Sequence, residues 1–181
     1  EVWLYPGGRR LRIRNMQAHE QDVPRADPPQ RTALNLAGIS CGAVHRGDVL
    51  CTAPEFAATR MVDVKVACLA DAAPLLLWQR MRLLVGTREV MVRIVPLGAE
   101  QIAPGTDGFL QLRLEKDEIY VKAGDRFILR TFSPMHTVAG GEILDAHPKK
   151  HRRFKEDVVV SLEARDAGLT DAVVAEFLRL R

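Results

Sequence analysis

The sequence predicts a mainly β protein with a helical end. Short runs of alternating apolar and polar residues recur through residues 1–146, bounded by Gly-, Pro- and Asp-containing turn signals. The clearest is 126–131, where Phe127, Leu129 and Thr131 alternate with Arg126, Ile128 and Arg130. Beyond residue 147 the apolar spacing changes from the period of a strand to that of a helix.

Segment 1–56 reads as all β. Val2 to Tyr5 is strand-like from the start, and with no Met before it the chain is expected to be an excised piece of a longer protein. Pro6-Gly7-Gly8 is a turn. Leu11 and Ile13 then alternate with Arg10, Arg12 and Arg14, giving one buried face and one basic face. Residues 18–30 form a polar loop ending in Pro28-Pro29. Thr32, Leu34 and Leu36 share a face of the next strand, and Arg31, Ala33 and Asn35 share the other. Gly38 closes it, and His45-Arg46-Gly47-Asp48 turns the chain into Val49-Leu50-Cys51. Three to five strands are expected, too few to close a barrel.

Segment 57–146 is richer in strands. Val62, Val64, Val66 and Cys68 alternate with Asp63, Lys65 and Ala67. Further strands are expected over 78–85, 88–96, 108–114 and 117–121. A hairpin follows: Gly124-Asp125 feeds its first strand and Ser133-Pro134 ends it, since proline cannot donate to a ladder. Val138–Leu144 is the return strand, where Gly140-Gly141 signals a bulge or a close backbone approach. Short strands at this spacing predict a closed antiparallel barrel. In segment 147–181, Phe154, Val158 and Leu162 predict a basic amphipathic helix stopped by Gly168. A second helix is expected after a cap at Thr170 or Asp171, carrying Val174, Phe177, Leu178 and Arg181.

Composition excludes several classes. At 47% hydrophobic and 27% charged the chain has an ordinary globular balance. No apolar run approaches the ~18 residues of a membrane span, and no signal peptide is visible. Cys41, Cys51 and Cys68 are odd in number and form no C-x-x-C pair, so a reduced, cytoplasmic setting is expected. Cys41, His45 and Cys51 match no usual zinc spacing, and no metal is expected. The net charge of +3 is too mild to imply nucleic-acid binding. Its distribution says more. Arg9, Arg10, Arg12 and Arg14 form one acid-free run; Lys149, Lys150, Arg152, Arg153 and Lys155 form another. Such runs suit phosphate contacts or simply solvate a surface. Neither G-x-x-x-x-G-K-S/T nor N-K-x-D occurs, and no Ser-His-Asp set or carboxylate pair stands out, so these residues by themselves are expected to be non-catalytic.

The strings G-D-R-F-I-L-R at 124–130 and T-V-A-G-G-E-I-L-D-A-H-P at 137–148 resemble the end of the third domain of elongation-factor-Tu-like translational GTPases. The L-D-A-H-P exit resembles the selenocysteine-specific elongation factors in particular. P-G-G-R-R-L-R-I-R-N-M-Q-A-H, Q-R-T-A-L-N-L-A-G, R-G-D-V-L and G-T-R-E-V-M-V-R-I occur in the matching order. The resemblance implies two translation-factor β-barrels: residues 1–56 as the end of the second domain, its first strands upstream, and 57–146 as the third. Residues 147–181 would begin a winged-helix region. It also implies selenocysteinyl-tRNA and the ribosome as partners, and an mRNA selenocysteine insertion element read by domains beyond this chain. GTP and Mg would belong to a domain of the parent upstream, and no membrane partner is implied.

By this resemblance Arg31 is expected to line the aminoacyl pocket, because Q-R-T-A-L-N-L-A-G places it where the family has a pocket arginine. A thiol ionises near pH ~8.5 and a selenol lower, so a guanidinium there favours a selenolate over a neutral serine hydroxyl. One such charge-assisted bond is worth about 1.5–3 kcal/mol. The companion Asp and Arg of the pocket would lie upstream, and Pro29 stands where the family often has Gly. The connector 131–136 is expected to meet the T-stem backbone of tRNA, with Arg130, Ser133, His136 and Thr137 donating to phosphates or 2′-hydroxyls. Lys116, Lys122, Arg80 and Arg82 are further candidates, and Lys149, Lys150, Arg152 and Arg153 form a hinge or an RNA-facing helix. Two other readings stay open: the same barrels from another translational GTPase, and a free-standing β-barrel RNA-binding or scaffold module.

Overall fold

A computed structural model describes residues 1–54 and 56–169. The chain divides into two compact units, the first Glu1–Ala57 and the second starting at Ala58. In the first, β1 (Val2–Tyr5), β2 (Arg9–Ala18), β3 (Gln21–Asp22), β4 (Thr32–Ala37) and β5 (Val49–Cys51) form an antiparallel sheet. β1 lies between β2 and β5, and the longer β2 also pairs with β3 and β4. Val2, Leu4 and Leu11 make its small core, with Ile13, Leu36, Ile39 and Leu50 packed against them. The expected alternation holds up to Ile13 and then changes phase. The β2–β4 register shifts between Ile13 and Asn15, so Arg14 is the extra residue of a bulge. Met16 and Ala18, not Asn15 and Gln17, therefore turn inward.

The second unit is a closed six-stranded antiparallel barrel. Its strands are β6 (Met61–Cys68), β8 (Arg80–Val85), β9 (Arg88–Leu97), β11 (Asp107–Leu114), β12 (Arg126–Thr131) and β13 (Thr137–Asp145), in the order β11-β6-β13-β12-β8-β9. A separate antiparallel pair, β7 (Leu75–Leu76) with β10 (Gln101–Ile102), was not legible in the sequence. Inward residues alternate as the period-two pattern requires: Val62, Val64 and Val66 on β6, Leu83 on β8, Leu110 and Leu112 on β11, and Leu129 on β12 are fully buried. The strand expected over 117–121 does not form; only Thr59 and Ile119 bridge there, exchanging hydrogen bonds of 2.9 and 3.0 Å. Ile119 and Val121 still turn inward around Tyr120, but the charged run Glu115–Glu118 leaves too few apolar positions to extend that alternation into a barrel strand.

The Gly140-Gly141 signal is a close approach. A Cβ on Gly141 would stand 1.9 Å from the Lys65 carbonyl oxygen. The ladder irregularities fall beside the pair instead, between Leu129 and Arg130 and between Ile143 and Asp145.

The helix α1 spans Glu156–Asp166. This corrects the expected basic helix: Phe154 and the run 149–155 precede it and are not helical, and Phe154 is exposed. The four-residue spacing survives in Val158 and Leu162, which pack with Val95, Leu97 and Leu144 on the outside of the barrel. That second layer explains why Ile94 to Leu97 are buried consecutively: one face meets the barrel core and the other meets α1. Gly168, at φ +76°, receives the helix end as expected, its N–H bonding the Arg165 carbonyl and that of Leu169 bonding Ala164. The second helix expected after Thr170 lies outside the described residues.

Candidate nucleic-acid interface

The connector between β12 and β13 is rigidly tied. The Thr131 hydroxyl donates to the Pro134 carbonyl and accepts the His136 N–H at 2.9 Å. The Thr131 N–H in turn donates to the His136 carbonyl at 2.9 Å. The Arg130 guanidinium donates to the Met135 carbonyl at 3.3 Å, and its Nε is buried with no partner among the described residues. Arg130 therefore helps to shape the loop. Ser133, His136 and Thr137 are exposed at its surface, as are Phe132 and Met135.

Phe132 organises what lies beside it. The guanidinium carbons of Arg80 and Arg82 sit 4.6 and 5.2 Å from its ring centroid. Strand alternation sends Arg80 and Arg82 outward on β8, and the register sets Arg80 opposite Arg93 and Arg82 opposite Arg130. Like charges facing across strands repel unless an acid intervenes. Glu115 does so: its carboxylate takes a forked bond from Arg80 at 3.0 and 2.8 Å and stands 2.9 Å from Arg93 Nε. The Arg80 hydrogen bond, with the charges of Arg80 and Arg93, holds the Glu115 carboxyl below the ordinary carboxylate range. Glu89 likewise meets Arg82 at 2.5 Å. Further along, the Arg93 guanidinium donates to the Trp78 carbonyl at 3.1 Å, and Arg113 lies 5.1 Å from the Trp78 ring centroid. Sequence reasoning named Arg80 and Arg82 but missed Arg93, Arg113, Trp78 and Phe132. Two outward arginines spaced by two on neighbouring strands were the available signal; the aromatics sit in turns, where no periodicity marks them.

The remaining candidates lie elsewhere. Arg31 is exposed, one residue before β4, and makes no ion pair among the described residues. Lys116 is exposed among Glu115, Asp117 and Glu118, with Asp117 3.6 Å from Arg88. Lys122 is exposed in the turn leading into β12, at the far end of that strand from the connector; its N–H donates to Asp125 Oδ2 at 2.9 Å. Lys150 and Arg152 are exposed. Arg153 departs from the expected RNA-facing set, because its guanidinium donates to the Ala99 and Glu100 carbonyls at 3.2 and 2.7 Å. Lys149 is exposed, but its carbonyl is fixed by Gln111 Nε2 at 2.9 Å.

That last bond belongs to a buried polar group centred on β6 and β11. Gln111 Nε2 also donates to Asp63 Oδ1 at 2.9 Å, and Asp63 Oδ2 lies 2.6 Å from His151 Nε2. Arg113 donates to Gln111 Oε1 at 3.0 and 2.7 Å. Asp63 is an outward strand position that the segment 149–151 covers, so it is buried, and burial pushes its carboxyl up against the opposing pull of Gln111 and His151. The L-D-A-H-P exit starts this strap. Asp145 Oδ1 accepts the His147 N–H at 2.8 Å in an Asx turn, and Pro148 prevents further pairing.

Residues 61–150 match the family model described as the β-barrel domain of the selenocysteine-specific elongation factor. A selenocysteine-specific elongation factor of Desulfomicrobium baculatum is 32% identical over 181 residues, covering 99% of this chain and 28% of that relative. One from Escherichia coli (strain K12) is 25% identical over 173 residues, covering 94% of this chain and 26% of the relative. The chain thus spans between 26% and 28% of the length of these curated relatives.

Proposed function

From the premise that the chain belongs to the selenocysteine-specific elongation factor family, we propose that it is the part of such a factor that grips selenocysteinyl-tRNA. The connector 131–136 and the arginine face beside it would take the phosphates and 2′-hydroxyls of the acceptor–T stem. Arg31 would face the selenocysteinyl group. Delivery to the ribosome, GTP and Mg binding, and reading of the mRNA insertion element would fall to domains outside these 181 residues, which contain neither nucleotide-binding motif. A cytoplasmic site of action follows from that role.

The observation that carries this reading is the tied connector flanked by stacked arginines. A loop held by Thr131 and Arg130 presents Ser133, His136 and Thr137 with a smaller backbone ordering cost on binding. The cations next to it supply the electrostatic attraction that RNA binding needs. Arg31 adds chemistry rather than affinity. An exposed guanidinium is free to pair with a selenolate, and seryl-tRNA offers no such anion.

The test uses the intact factor with GTP and compares selenocysteinyl-tRNA with seryl-tRNA. Arg31→Ala is expected to cut the preference roughly ten- to hundredfold while leaving seryl-tRNA binding unchanged. Equal affinity of the unaltered factor for both charged forms would overturn the selenocysteine assignment.

A further inference from the structure

Trp78 is an exposed aromatic platform on the barrel, and it is held in an unfavourable backbone conformation. Its φ is +62°, a left-handed geometry that bulky residues rarely adopt. The surrounding bonds over-determine it. The Trp78 N–H donates to the Ile94 carbonyl at 2.8 Å, Ile94 N–H returns to Gln79 at 3.2 Å, and Gln79 Oε1 accepts the Leu76 N–H at 3.1 Å. Arg93 fixes the Trp78 carbonyl. The result is an indole with Arg113 against one face and 49% of the residue open to solvent. A protein stabilised only by burial would turn this side chain inward.

The surroundings say what such a platform fits. Contacts run without a break from Trp78 to Arg93, through Glu115 to Arg80, and on to Phe132 at the connector. Aromatic faces interleaved with guanidinium groups are the pattern for stacking unpaired bases while holding the phosphates between them. The arginines outnumber the acids along this belt, so its charge suits a polyanion and not a neutral partner. Phe132 is likewise 45% exposed, giving two stacking faces and not one.

We propose that the belt from Phe132 to Trp78 binds a single-stranded stretch of RNA, with an unpaired base stacked on the Trp78 indole. This rests on the RNA-binding reading above and extends it from a backbone grip to contact with bases. A duplex stem buries its base faces, so the connector and the Trp78 platform would engage different parts of one RNA or different RNAs.

The test is direct because the chain has only two tryptophans. In a Trp3→Phe background Trp78 is the sole indole reporter. Titrating the full chain with single-stranded oligoadenylate RNA of about ten nucleotides should quench its fluorescence saturably, and added salt should weaken binding. Duplex RNA of equal length and poly-glutamate should quench little. Trp78→Ala should weaken oligoadenylate binding roughly five- to hundredfold by anisotropy. Trp78→Phe, which keeps a stacking face, should restore most of it. No quenching by oligoadenylate, or equal quenching by duplex RNA or poly-glutamate, would overturn the proposal, the last identifying an acidic protein segment as the fitting partner. If quenching fails while the Arg31 preference for selenocysteinyl-tRNA stands, only this inference falls. If quenching holds and the preference fails, the selenocysteine reading falls instead.

Discussion

Asp63 and His151 are 88 positions apart in the chain and 2.6 Å apart in the fold. That contact pins the segment leaving the barrel to its outer wall. Gln111 completes the clasp by donating to both Asp63 and the Lys149 carbonyl. Beyond the clasp, Lys65 meets Asp166 at 2.7 Å and Arg165 lies 3.5 Å from Asp145, so α1 is held by both polar and apolar contacts. Removing His151 leaves a buried carboxylate with one donor fewer. His151→Ala is expected to lower stability by about 1–3 kcal/mol in urea unfolding, with earlier proteolysis around residues 149–155.

Asp63 also sets a pH dependence of definite sign. Burial raises its folded pKa above the ordinary 3.8, so the folded state holds the proton more tightly than the unfolded chain does. Its contribution to stability is therefore present below the unfolded value and lost as pH rises through the folded one. Urea midpoints taken from about pH 4 to about pH 7 should fall with rising pH for the unaltered chain relative to Asp63→Asn. A constant offset between the two would contradict the raised value.

Gly141→Ala should be the most damaging small substitution on β13. The new Cβ would meet the Lys65 carbonyl oxygen at 1.9 Å and Val66 Cα at 3.0 Å, both backbone, so β6 and β13 must separate. A loss of roughly 3–5 kcal/mol is expected. Gly140→Ala, whose Cβ would stand 3.2 Å from the Phe127 carbonyl oxygen, should cost clearly less. Thermal melts of the two variants decide the order.

Glu115 restrains the arginine face. It engages both Arg80 and Arg93, and its lowered pKa reflects the Arg80 hydrogen bond first and the two guanidinium charges after it. Glu115→Gln releases that negative charge. RNA affinity at low salt should rise, and the slope of log affinity against log salt should steepen by about one. Fluorescence anisotropy across a salt series reads both.

Arg130 and Lys116 should behave differently although both were expected to touch RNA. Arg130 holds the Met135 carbonyl, so Arg130→Ala loosens the connector itself. The expected result is a large affinity loss that Arg130→Lys does not fully restore, with faster hydrogen exchange at His136. Lys116 is an exposed ammonium among acids, and Lys116→Ala should change affinity by less than about twofold at physiological salt.

Strands whose buried faces follow period two were legible in the sequence. Val62, Val64 and Val66, or Phe127 and Leu129, sort in and out of the barrel on local pattern alone, because adjacent side chains on a strand must face opposite sides. The turn at Gly124-Asp125 and the helix stop at Gly168 were legible too, since each rests on residues close together in the chain, while the family resemblance rested on several short strings in matching order along it. Which outward faces stay outward depends instead on contacts between segments distant in the chain. Asp63 alternates as a solvent-facing residue should, yet the strap brought back by Pro148 and Lys149 covers it. Arg153 belongs to a run that reads as a basic surface, yet it bonds the carbonyls of Ala99 and Glu100. The arginine and aromatic belt joins Trp78, Arg80, Arg93, Arg113 and Phe132 from three strands and two turns. Closure of the barrel makes them neighbours, and cross-strand proximity between distant segments leaves no mark in local periodicity.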